Sequence, residues 1–129
     1  MLKKIIKNKG GFTLVELTVV LAIIGIIMAI ATPKLNTVRR MAAITAHHAN
    51  VKTLTTAATM YISDNGVPAT DLEWNEKNTD SWKDYLQEWP EIPKGLSCKD
   101  FKDGEDITDY KVTIKPDGTV IVQPDEITN

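Results

Sequence analysis

Hydrophobic and polar positions divide the chain into three regimes. Residues 12–31, FTLVELTVVLAIIGIIMAIA, form 20 consecutive positions with a single charge, Glu16. As a helix rising about 1.5 Å per residue, this run covers roughly 30 Å, the hydrocarbon thickness of a bilayer. Past Pro33 the pattern becomes amphipathic. Val38, Met41, Ile44, Val51, Leu54, Ala58, Tyr61 and Ile62 recur mostly at three- and four-residue steps, a stripe expected to face a core. The segment Asp64-Asn65-Gly66, followed by Pro68, predicts the helix end between Ser63 and Gly66. A helix of about 50 residues is too long for an ordinary compact domain, so one half belongs in a membrane or filament core and the other supports a head.

The third regime reads as loops and strands. Residues 66–98 are turn-rich and aromatic. Ser81 to Glu88 is predicted as a short helix, with Ser81 and Asp84 at capping-box spacing and Pro90 ending it. Trp74, Trp82 and Trp89 are expected in the core. Tyr110, Val112 and Ile114 alternate with Lys111, Thr113 and Lys115, as in a half-buried strand. Lys115-Pro116-Asp117-Gly118 predicts a type I turn, and Thr119 to Gln123 the returning strand. A third strand is placed near Leu96 to Phe101. The resulting antiparallel sheet must cover the apolar stripe, because a lone hairpin is marginal in water.

Charge narrows the function classes. The chain carries 15 basic and 17 acidic residues, but Lys3, Lys4, Lys7 and Lys9 lie in residues 1–11, which hold no acid. The remainder has 11 basic against 17 acidic residues, a net charge of −6. Such a surface offers no electrostatic footprint for nucleic acid, and no direct nucleic-acid binding is expected. Cys98 is the single cysteine, which excludes an intramolecular disulfide and a CxxC site. His47 and His48 are adjacent, so on a helix they point about 100° apart and cannot both serve one ion well; both are expected on the surface or facing a groove. Asp100, Asp103, Glu105, Asp106 and Asp109 crowd one acidic stretch. With Gly104 at the sixth position of an EF-hand loop, Lys99 and Phe101 would fall on ligand positions, so a solvated turn is expected. Asp100, Asp103, Asp106 and Asp109 are the residues left to carry calcium otherwise. There is no nucleophile–base pairing, phosphate loop or metal-ligand spacing; a non-enzymatic chain without cofactors is expected.

Three readings compete for the apolar run. A permanent signal anchor satisfies the hydropathy. A secretory signal peptide is favoured by Ala29-Ile30-Ala31 and opposed by the length of the run. The third rests on GGFTLVEL, residues 10–17, behind a lysine-rich leader. These residues resemble the prepilin cleavage motif of type IV pilins and type II secretion pseudopilins. The resemblance is specific over roughly the first 50 residues and extends to the rest only as general layout.

The resemblance implies an α+β, pilin-like fold, in which a long N-terminal helix packs its outer half against a small C-terminal antiparallel sheet. Its expected parts are a leader (1–11), a transmembrane or filament-core helix (12–35) and a globular head (36–129). It implies cleavage between Gly11 and Phe12 by a prepilin peptidase and methyltransferase, and N-methylation of Phe12. It also implies assembly into a helical homopolymer, with Glu16 meeting the Phe12 amine of a neighbouring subunit. Gly25 and Pro33 match positions where many type IV pilins loosen the helix. A membrane assembly platform and minor pilins are the implied partners. The lysine-rich flank places the N-terminus on the cytoplasmic side of a single pass through the cytoplasmic membrane before assembly, and the filament then lies at the cell surface. A major pseudopilin of a secretion or competence system is the alternative within this class. A monomeric, signal-anchored binding domain is the alternative outside it.

Overall fold

The computed structural model describes residues 10–78, 80–102 and 108–127. One long helix, α1 (Leu14–Asn65), precedes β1 (Leu72–Trp74), a short 3-10 turn at Cys98–Asp100, β2 (Lys111–Ile114) and β3 (Val120–Gln123). The strands form one antiparallel sheet in the order β1-β2-β3. This is the α+β, pilin-like arrangement expected from the sequence. Contacts divide the chain into two units, residues 1–37 and 38–129.

In the first unit every described residue is exposed. α1 here is apolar on all sides, with a mean hydropathy of 2.7 over its most apolar window, none of it buried. A helix that is hydrophobic all round belongs in lipid or in a packed core.

In the second unit the same helix is one-sided. Ala43, His47, Val51, Leu54, Ala57 and Ala58 are buried, at the three- and four-residue steps that keep side chains on one face. The face begins later than the sequence pattern implies. Val38 and Met41 stay exposed, at 60% and 63%. The helix ends as expected: Gly66 takes a φ of 78° and its N–H donates to the Ile62 carbonyl at 2.8 Å, a left-handed cap that any side chain would strain.

The sheet supplies the opposite wall. Val112 and Ile114 are fully buried and Tyr110 nearly so, and Val112 pairs with Val122 on one side and Trp74 on the other. The hairpin closes through Lys115 and Thr119, with Gly118 at φ 85°. Trp74, Trp82 and Trp89 all join this core. Trp82 Nε1 donates to the Asn75 carbonyl at 2.9 Å, whereas the indole N–H groups of Trp74 and Trp89 are buried without a partner among the described residues.

Three local expectations are corrected. The third strand is Leu72–Trp74, not Leu96 to Phe101; Leu96 makes only a bridge with Lys94, and Cys98–Asp100 turns as a 3-10 helix. That turn is fixed by Asp100, whose carboxylate accepts the Ser97 N–H at 2.8 Å and pairs with Arg40. Ser81 to Glu88 forms turns rather than a helix: the Tyr85 and Leu86 N–H groups both reach the Trp82 carbonyl and the ladder stops. Two tryptophans and Leu86 enter the core within eight positions, and the backbone follows their packing. His47, expected on the surface or in a groove, is completely buried.

Candidate functional site

The residues singled out by the cleavage motif lie where the chain enters α1. Gly10, Gly11 and Phe12 are outside the helix and exposed, Phe12 at 93%. A side chain at Gly11 would meet nothing within 4 Å, and the φ angle there is not in the left-handed region. Among the described residues nothing demands a glycine at that position. Lys3, Lys4, Lys7 and Lys9 lie outside the described residues.

Thr13 and Glu16 start the helix together. The Thr13 carbonyl accepts the Leu17 N–H at 3.2 Å, the first bond of the helical ladder. Thr13 Oγ1 accepts the Glu16 N–H at 3.2 Å, and Glu16 Oε2 accepts the Thr13 N–H at 2.8 Å. Thr13 Oγ1–H lies 3.2 Å from the same Oε2. This reciprocal pattern is a capping box, which satisfies two of the N–H groups that a helix start leaves without partners. It also places a carboxylate at the positive end of the helix dipole. Thr-x-x-Glu ahead of an apolar run is its sequence signal, hidden in this chain because the hydropathy of the run dominates the reading. Among the described residues Glu16 Oε1 carries no hydrogen bond, so one carboxylate oxygen is open to a cation. The nitrogen that cleavage would expose belongs to Phe12, one residue before the N–H that Oε2 already holds.

Gly25 has open space around it, and α1 continues through it and through Pro33. Proline has no N–H, so the Ala29 carbonyl loses its helical donor. One residue earlier, Thr32 Oγ1 donates to the Met28 carbonyl at 2.6 Å.

The other sequence candidates are not brought together. Asp100 is committed to Arg40 and Ser97; its carboxyl is held below the usual carboxylate range by the Ser97 N–H and then by the guanidinium. Asp109 accepts the Thr108 hydroxyl at 3.1 Å. Asp103 and Asp106 lie outside the described residues. Among the described residues no three His, Cys, Asp or Glu side chains gather as a metal-binding group.

His47 shows what the sequence pattern understated. It sits on the buried face, in step with Ala43 and Val51. The Asp125 carbonyl can only accept, so Nε2 carries the proton and donates to it at 2.8 Å. Nδ1 is then an acceptor for the Tyr110 hydroxyl at 2.7 Å. The ring stacks on Tyr110 and meets Phe101 edge-on. His48 Nε2 accepts the Ile127 N–H at 3.1 Å. The histidine pair therefore fastens the chain after β3 to the helix.

Residues 6–32 match the family model described as the prokaryotic N-terminal methylation motif. Compared with curated proteins and with solved structures, the chain gives no match. The matched segment contains Gly11, Phe12, Thr13 and Glu16 and ends one residue before Pro33. It is the signature of type IV pilins and pseudopilins, and it supports a pilin-like or pseudopilin-like reading of the chain.

Proposed function

We propose that this chain is the subunit of a type IV pilus or pilus-like filament, inserted in the cytoplasmic membrane, cut between Gly11 and Phe12, methylated on Phe12 and then polymerised through α1. One observation carries the reading: the methylation motif opens directly onto a stretch of α1, residues 14–37, whose apolar residues are all exposed. Burial against like helices removes that surface from water, or in the membrane replaces its lipid contacts with helix packing, and either supplies a driving force for assembly.

Glu16 gives assembly its register. Cleavage creates a Phe12 amine with an ordinary pKa of about 8, mostly cationic at neutral pH. In a low-dielectric helix bundle its attraction to a carboxylate is far stronger than in water. The open Oε1 of Glu16 is the acceptor for the Phe12 amine of a neighbouring subunit, while Oε2 keeps the helix start capped. Gly25 and Pro33 loosen the segment between them when the helices pack.

Intact mass of the purified protein tests the processing: a chain of 118 residues plus one methyl group is expected. A full-length chain of 129 residues would instead make it a permanent anchor, and one of 98 residues starting at Thr32 a secreted domain. Imaging of cells with and without the chain tests the filament.

A further inference from the structure

The two flanks of α1 in residues 38–129 carry different grooves. On one flank Ala49, Thr53, Thr56 and Met60 line a groove of about 430 Å³, closed by Leu86 and bearing Lys52. On the other, Val51 and Thr55 line a groove of about 320 Å³ whose far wall is β3 and the two acids Asp125 and Glu126. Val51 and Thr55 each lie two positions after Ala49 and Thr53, which is about 200° round a helix. The grooves therefore face opposite ways.

Their chemistry is complementary. From Leu17 to Ser63 the helix has four basic residues and no acid, whereas residues 64–129 have 7 basic against 16 acidic residues. Past Met41, the large hydrophobic residues left exposed among the described residues are Met60, Val67 and Ile121, at 54%, 52% and 37%. One of them, Met60, lines the Lys52 groove, and another, Ile121, lines the Asp125–Glu126 groove. Lys52, Asp125 and Glu126 are exposed, and among the described residues none is in an ion pair. The acids are also fixed in place, because the Asp125 carbonyl accepts from His47 and the Ile127 N–H donates to His48.

We infer that these two surfaces bind each other between copies of this chain: Ile121 of one subunit enters the Met60–Leu86 groove of the next, and Asp125 and Glu126 meet Lys52. The contact joins two different patches on opposite flanks, so it is heterologous and repeats in one direction instead of closing a two-fold dimer. It rests on the filament reading and names the head contact that continues it outward from the apolar helices.

The test uses the full chain in cells that assemble it. With Cys98→Ser as background, Met60→Cys and Ile121→Cys together are expected to give a ladder of disulfide-linked oligomers in sheared filaments. Either cysteine alone is expected to give none. Lys52→Glu should lower filament yield about tenfold, since like charges in an interface cost several kcal/mol. Adding Asp125→Lys and Glu126→Lys to it should restore the yield. Filaments from the double-cysteine chain without a ladder, dimers from a single-cysteine chain, undiminished yield with Lys52→Glu, or no rescue by the charge swap would each overturn the contact while leaving the filament reading in place. If the unaltered chain makes no filaments, the filament reading falls and takes this contact with it.

Discussion

At Glu16 the side chain already has a partner inside its own subunit, and this changes how a substitution there is read. Gln can accept the Thr13 N–H as Glu does, because either residue completes a capping box. Glu16→Gln therefore removes the charge and keeps the cap. Unchanged helix content in detergent, together with loss of filaments from cells, is the expected outcome; normal filament yield would exclude the charge pair with Phe12. Tyr110 is a second residue whose role can be isolated. Its hydroxyl is the donor to a fully buried His47 nitrogen, so Tyr110→Phe leaves that nitrogen unpaired and should cost about 1–3 kcal/mol. Urea unfolding followed by tryptophan fluorescence measures it, since all three tryptophans sit in the same core. Asp100 sets a pH dependence. Its carboxyl binds a proton more weakly in the fold than in the unfolded chain, through Ser97 first and Arg40 second. The stability it contributes is fully present above the ordinary carboxylate value of about 4 and is lost as pH falls through that value toward the lower folded one. Asp100→Asn should flatten the acid limb of the stability curve; an unaltered limb would show that Asp100 contributes nothing to it.

Among the elements, α1 and the β2–β3 hairpin were legible because each is specified by neighbours in sequence. Helical periodicity, the Gly66 cap, the alternation from Tyr110 to Ile114 and the Pro-Asp-Gly turn are all local signals. β1 was not legible in the same way. Leu72–Trp74 is too short to show alternation and exists only because β2, some forty residues away, offers it a partner. The segment from Ser81 to Glu88 carries helical end signals, yet the burial of Trp82, Leu86 and Trp89 decides its path. The same limit applied to the site. The cleavage and charge residues could be read in order along the chain, whereas the role of His47 depends on Tyr110 and Asp125, which only folding brings near. Within α1, Pro33 is the element-scale feature with a measurable cost. Proline in a helix interior is worse than alanine by about 3 kcal/mol. Pro33→Ala restores the donor to the Ala29 carbonyl, and amide exchange between residues 29 and 37 in detergent should slow. Exchange at the wild-type rate would mean that Pro33 does not loosen this part of the helix.

For the molecule as a whole, the distribution of burial separates the residues that fold the chain from those left for the proposed assembly. Among the described residues every buried hydrophobic side chain lies at Ala43 or beyond, and the main cluster runs from Val51 to Val122. The described residues up to Thr37 contribute nothing to that core, since all of them are exposed. A fragment of residues 38–129 keeps the core, the sheet and the His47 network, and its 10 basic residues are outnumbered by the 16 acids that favour solubility. The fragment should therefore be a soluble monomer that unfolds cooperatively in urea, while the full chain requires lipid, detergent or its own filament to cover residues 12–31. Sedimentation velocity without detergent decides between the alternatives: a single monomer boundary is expected. Aggregation of the fragment would mean that the N-terminal helix takes part in folding as well as in assembly, and the division of labour between the two parts of α1 would then be wrong.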